Sequence, residues 1–297
     1  MNYSSKSFFQ IWAMNYFKSI LFTALLLEPF TGISGNENFQ LGSRSAALGG
    51  SAVCLSDIWS VGNNQAGLGY LKNISFGAYY DNKFLLKELN TGSAAVAIPT
   101  KKFGVLAVSF VQTGNKLYKE SKYGFAYARA FGDVISIGIQ LNYQRVFIGE
   151  GYNQRKGFFT GEVGLQAKVL KNLTLGAHIF NPTLTKMTDY NNERIPVIFK
   201  LGLLYKFSEK VFIAVEGEKD LDYKPYLKIG IEYAPVKQVF FRTGISTNPF
   251  QNGIGVGLKF GSLKIDVSST IHPQLGVSPQ MGLIYQFGKE SETHGKK

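Results

Sequence analysis

From Asn73 to Phe287 the sequence alternates with a period of two, in one segment after another. The plainest case is Ile135–Tyr143, ISIGIQLNY. Ile135, Ile137, Ile139, Leu141 and Tyr143 share one face there, and Ser136, Gly138, Gln140 and Asn142 share the other. Leu263–Ile271 repeats the arrangement, with Lys264, Asp266, Ser268 and Thr270 opposite Leu263, Ile265, Val267 and Ile271. A helix cannot hold such a pattern on one face, whereas a strand between two different surroundings must. Roughly fourteen segments of this kind follow each other, each near the nine to eleven residues that a tilted membrane strand needs. An even strand number is what closes an antiparallel bacterial barrel.

The connections carry a second, independent signal. Every other one is tiny: Lys101-Lys102, Gly132-Asp133, Lys171-Asn172, Ser208-Glu209-Lys210, Pro235-Val236-Lys237 and Gly261-Ser262. Those between are longer, such as Ile148–Gly157 and Asn181–Pro196. Outer-membrane barrels alternate short periplasmic turns with longer outer loops. The expected fold class is therefore all-β, a transmembrane antiparallel β-barrel of about fourteen strands, with both termini on the periplasmic side of a bacterial outer membrane and outer-membrane lipid around it.

The cost of burying charge decides which face meets that lipid. A Lys or Arg on the lipid side at mid-membrane costs about 2–4 kcal/mol, so the charged face is the lumen. Glu162, Lys200, Glu216, Lys228, Arg242 and Asp266 are the candidate lumen-lining residues, with signs mixed so that pairing is expected. Glu216 and Glu218 stand opposite Lys228 on the next strand. Aromatic residues near strand ends, Tyr79, Tyr80, Tyr127, Tyr143, Tyr205, Tyr233, Phe260, Tyr285 and Phe287, are assigned to interfacial girdles.

Composition excludes other classes. A mean hydropathy of −0.01 is too polar for a helical membrane protein. A net charge of +12 invites a nucleic-acid partner, but the bases are scattered through strands and turns with no basic helix or dense run, so none is expected. The single cysteine, Cys54, sits among Ala52, Val53 and Leu55 and reads as a small buried residue. Three histidines, His178, His272 and His294, stand without a Cys or carboxylate at metal-ligand spacing. No nucleophile has a candidate base. No catalytic residue, metal or cofactor is expected, and the chain is not read as an enzyme.

The N-terminus reads as an export signal over residues 1–34: basic Lys6 and Lys18, a short apolar core Ser19–Leu27, then small residues suited to cleavage before Gly35. Met14 opens an equally complete signal. Residues 289–297 read as a disordered tail. Between signal and barrel (73–288) lies 35–72, whose glycine-rich part Gly42–Lys72 carries no strand pattern. It is expected to fold at or inside one mouth as a plug. Its small residues permit close backbone approach, and Asp57 is placed to cap a short helix.

That stretch resembles the PorV/PorQ family of Bacteroidota outer-membrane proteins, relatives of the FadL fatty-acid channels. In that family an arginine before a glycine pair precedes an acidic residue and then an Asn-Pro-Ala segment. Arg44, Gly49-Gly50, Asp57 and Asn64-Gln65-Ala66-Gly67-Leu68 correspond, with Gln65 in place of the proline. The last strand, Gln280–Phe287, also resembles the outer-membrane assembly signal. The resemblance implies an N-terminal plug or hatch built on Arg44, Gly49, Gly50, Asp57, Asn64, Ala66 and Gly67. In the secretion-linked branch it implies an accessory role in type IX secretion, with secretion proteins or cargo as partners. In the FadL branch it implies a channel for small hydrophobic molecules, gated by the N-terminal segment.

Overall fold

The computed structural model describes residues 40–100, 102–149, 154–185, 195–221 and 223–288. The signal expected over 1–34 and the tail over 289–297 lie outside them. Two short helices, α1 (Ser43–Ala47) and α2 (Ser60–Asn63), and a 3₁₀ stretch (Gln65–Tyr70) come first. The strands follow as β1 (Ser75–Asn82), β2 (Asn90–Thr100), β3 (Gly104–Gly114), β4 (Tyr118–Phe131), β5 (Ile135–Ile148), β6 (Gln154–Leu170), β7 (Leu173–Phe180), β8 (Ile198–Lys206), β9 (Val211–Asp220), β10 (Tyr226–Val236), β11 (Val239–Ser246), β12 (Gln251–Phe260), β13 (Leu263–His272) and β14 (Gly276–Gln286).

Each strand pairs with its neighbours in sequence, and β14 returns to β1, so the sheet closes into an antiparallel barrel. The closing seam runs from Ser75 opposite Gln286 to Asp81 opposite Gln280. No helix among the described residues is long and apolar enough to cross a membrane. Closure does that work instead, because it gives each strand a partner on both sides and leaves no sheet edge to hydrocarbon. The turns at one end are tight; Gly132 and Gly261 take φ of 63° and 55°, which those hairpins need.

The alternation becomes two surfaces. On β5, Ile135, Ile137, Ile139, Leu141 and Tyr143 are exposed, while Ser136, Gly138, Gln140, Asn142 and Gln144 are buried. Exposed Leu165, Leu201, Ile231, Ile254, Val267 and Met281 carry the apolar band across β6, β8, β10, β12, β13 and β14. So large an apolar surface is untenable in water and is what a bilayer covers. One aromatic departs from its assigned girdle. Tyr79 has the inward parity of Ser75, Gly77 and Asp81, is buried, and packs edge-on to Trp59 at 5.8 Å between ring centres. Its neighbour Tyr80 takes the lipid side, so two consecutive aromatics serve opposite faces.

The inner wall is chemically divided. Along β2–β4 it is small and apolar: Ala95, Ala97, Val105, Ala107, Val111, Ala126 and Ala128 pack with Leu41, Ile58, Trp59, Val61 and Leu68. From β5 to β13 its middle is polar, with Gln140, Asn142, Glu162, Gln166, His178, Lys200, Glu216, Glu232, Arg242 and Asp266 all buried, beside apolar clusters at Val146, Phe158, Phe180 and Ile198 and at Leu204, Phe212 and Ala214.

The face assignment predicts an asymmetric response on one strand. Ile139→Lys, outward at mid-strand, should lower stability by about 2–4 kcal/mol in lipid vesicles, whereas Ile139→Val should cost no more than about 1.5 kcal/mol. Denaturant unfolding followed by the heat-modified mobility of the barrel measures both.

Candidate functional site

Residues 40–72 lie against the inner wall, and glycines make that possible. Gly138 of β5 is register partner to Gly164 of β6, and Gly176 of β7 to Gly202 of β8. Gly230, Gly244 and Gly253 form a third run across β10, β11 and β12. All of these meet the N-terminal segment rather than open space. A β carbon on Gly138 would stand 2.4 Å from the Gln65 carbonyl carbon, and one on Gly176 2.6 Å from the Val53 oxygen. On Gly230 it would stand 2.5 Å from the Leu48 oxygen, on Gly244 2.1 Å from the Leu48 carbonyl carbon, and on Gly253 2.4 Å from the Ala46 oxygen. Real β carbons do not come so close, so these strands bear glycine where another backbone approaches.

The segment reciprocates. Gly49 and Gly50 end α1 in left-handed conformations, with φ of 64° and 91°. Their N–H groups take the carbonyls of Ala46 and Ser45 at 3.1 and 2.9 Å, the usual glycine closure of a helix. A β carbon on Gly49 would meet the backbone of Ile245 on β11 at 2.5 Å. Close contact is thus built from both sides.

Charge fixes the segment in register. The Arg44 guanidinium donates to both Glu232 oxygens, at 2.8 and 2.9 Å, and to Asp57 at 3.3 Å. Arg242 shares Glu232 at 2.6 Å and reaches Asp266 at 2.6 Å. Burial works against the Arg44 charge, yet Glu232 and then Asp57 outweigh it and raise its pKa, so the cation persists. Glu216 accepts the N–H groups of Ala52 and Val53 at 2.7 and 2.8 Å, with Lys228 on its other oxygen at 3.2 Å. Lys228 also holds Glu218 at 2.5 Å, and Lys200 stands 3.7 Å from Glu218. Glu162 gathers Lys122 at 2.6 Å, His178 at 3.0 Å, Gln65 at 2.7 Å and Asn142 at 2.8 Å. His178 is therefore an inner-wall partner of a carboxylate.

Asn64 is fully buried: its amide donates to the Val53 and Leu165 carbonyls at 2.7 and 3.2 Å, while its oxygen accepts the Ala66 N–H. Ala66 in turn offers its carbonyl to Ser136 at 2.7 Å. Asp57 does not cap α2. The residue before that helix is Trp59, which makes no side-chain cap. Asp57 instead accepts the Trp59 N–H at 2.9 Å, a turn two residues long, and gives its other oxygen to Arg44. Asn63, Trp59, Ser136 and Gln166 also hold the segment, although the motif does not include them; Gln166 donates to Val53 and Leu55, both at 2.9 Å. Ser136 and Gln166 had polar character at inward parity as their sequence signal; Trp59 and Asn63, outside any strand, had none. Cys54 is buried beneath Thr174; burial, then Glu216, pushes its thiol up, away from reactivity. Among the described residues no group of His, Cys, Asp or Glu could hold a metal.

The contacts predict two substitutions with separate signatures. Gly244→Val should unseat the segment, exposing 40–72 to protease while the barrel stays closed, at about 1–3 kcal/mol. Gly92→Ala, which meets nothing within 4 Å, should change neither. Arg44→Gln leaves Glu232 short of one cation and should cost about 3–5 kcal/mol in denaturant unfolding.

No family model and no curated protein matches this chain. Solved structures do. The Ralstonia pickettii toluene transporter TbuX superposes with a TM-score of 0.62 at 12% identity, over 84% of this chain and 98% of that one. The P. putida toluene transporter TodX gives 0.62 at 11%, over 84% and 99%. A Pseudomonas aeruginosa FadL homologue gives 0.53 at 11%, over 82% and 96%. At these identities the likeness concerns architecture alone, a closed antiparallel barrel.

Proposed function

We propose that the protein is an outer-membrane channel for small hydrophobic molecules, oriented with its short turns in the periplasm, in which residues 35–72 act as the plug. One observation carries this reading. On the long-loop side of the segment, Val146, Phe158, Phe180, Ile195 and Ile198 form an apolar cluster, and the four on strands have inward parity on β5 to β8. These side chains are buried against one another, an apolar stretch of inner wall that a lumen held by ion pairs alone does not need and that a hydrophobic solute can use. The FadL-like architecture supports the reading, since solved neighbours are described as toluene transporters and monoaromatic hydrocarbon channels.

The motif Arg44, Gly49-Gly50, Asp57 and Asn64-Gln65-Ala66 favours a second reading, an accessory of type IX secretion that binds secretion proteins or cargo. Its residues all engage the wall or each other, which is compatible with a plug in either role.

Vesicles containing the protein should take up toluene faster than empty ones, and Phe180→Asp together with Ile198→Asp should abolish the difference. Native purification in mild detergent with mass spectrometry separates the readings. Co-purified hydrophobic molecules and no large partner support the channel. A secretion component in the eluate, with uptake equal to that of empty vesicles, would replace it with the accessory role.

A further inference from the structure

The end of the barrel bearing the short turns is basic in a regular way. Lys102 lies at the β2–β3 turn, Arg129 at the end of β4, Lys171 at β6–β7, Lys210 at β8–β9 and Lys237 at β10–β11; Lys72 precedes β1. All six are exposed, against two acids at this end, Asp133 and Glu209. None of the six makes an ion pair among the described residues. Mid-barrel acids and bases pair in shared networks, but here the bases stand without acidic partners.

Their neighbours fix the depth at which they sit. Phe103, Phe131, Leu170, Phe207 and Val236 are 72, 56, 58, 66 and 52% exposed, and each lies within three residues of a base. Large apolar side chains so exposed mark the edge of the hydrocarbon, where aromatic residues settle. Lys102, Lys171, Lys210 and Lys237, in the turns one to three residues away, reach the level of the lipid phosphates. Arg129, two residues before Phe131 on β4, reaches toward the rim along that ring, its guanidinium 5.7 Å from the ring centre. The distribution also chooses between partners. A base at five of the six short connections, all but Gly261-Ser262, places successive charges about 10 Å apart along most of the rim. A docked acidic protein would call for a patch; a ring matches a shell of headgroups.

We propose that this rim binds the phosphates of anionic phospholipids, a surface function that rests on the membrane reading above. Lys102, Lys171, Lys210 and Lys237 supply mobile ammonium donors, and Arg129 a fixed one stacked on Phe131. Anionic lipid neutralises the ring's self-repulsion, so it is selected from a mixed leaflet and stabilises the barrel.

The test compares the full-length protein with a K102S/K171S/K210S/K237S variant, whose changes lie outside the inner wall and the segment. A second set, K102R/K171R/K210R/K237R, keeps the charge. Each is inserted into bilayers of phosphatidylethanolamine alone or mixed with phosphatidylglycerol. Retained lipid is read by native mass spectrometry, and Tm by loss of the heat-modified band. The parent and the arginine set should retain phosphatidylglycerol selectively and melt higher in its presence, an effect weakened by salt. The serine set should lose about tenfold or more of that preference. Equal retention of both lipids by the parent, or an unchanged preference in the serine set, overturns the proposal. So does inorganic phosphate raising Tm as much as the lipid, which would make the ligand a soluble anion. Failure of all three proteins to insert would instead overturn the membrane reading itself, a result distinguishable from loss of lipid preference alone.

Discussion

A backbone amide left unpaired in hydrocarbon costs several kcal/mol, and in this molecule that penalty is removed by a single seam. When β14 pairs with β1 over Ser75–Asp81, the sheet loses both edges at once. Everything else follows from having to make a closed wall. The outward face must be apolar, the strands must be long enough to cross, and the interior becomes a space that the chain itself must fill or leave to water.

The chain fills part of it with its own N-terminal segment, and two kinds of contact share the task. Along β2–β4 the fit is apolar, with Trp59, Ile58 and Leu68 against a wall of alanine and valine. Around the remainder the wall supplies glycines for backbone to lie against, and charges to pair with it. Buried ion pairs are weak sources of net stability, because desolvation offsets most of their attraction. Their effect here is on position. Arg44 on Glu232, and Glu216 on the N–H groups of Ala52 and Val53, each fit one placement of the segment. A slip by one residue would leave charges buried and unpaired.

The barrel's two ends contrast with this paired middle. The long-loop end carries apolar side chains inside, at Phe180 and Ile198, while the short-turn end carries bases outside, at Lys171 and Lys237. The described part of the N-terminal segment, tied to the wall by hydrogen bonds and ion pairs, lies between these two ends.

Sequence alone determined the strands, because period-two burial is a local consequence of backbone geometry: the alternation of Ile135–Tyr143 is the alternation of lipid and lumen. It also determined which charges face inward, because parity along a strand carries over from one residue to the next. Parity failed where two aromatics are adjacent, as at Tyr79 and Tyr80, since either suits a girdle and only the register of β1 decides between them. The motif residues of the N-terminal segment were legible, but their partners were not. Arg44 and Glu232 are 188 residues apart, and Asp57 turned out to hold a turn and an arginine in place of a helix end. Only the closed tertiary structure decided those pairings. Single glycines scattered over β5 to β12 become three runs facing the segment only after the registers of the strands are fixed. What a glycine makes room for is set by the backbone that arrives from elsewhere, and no local pattern encodes that.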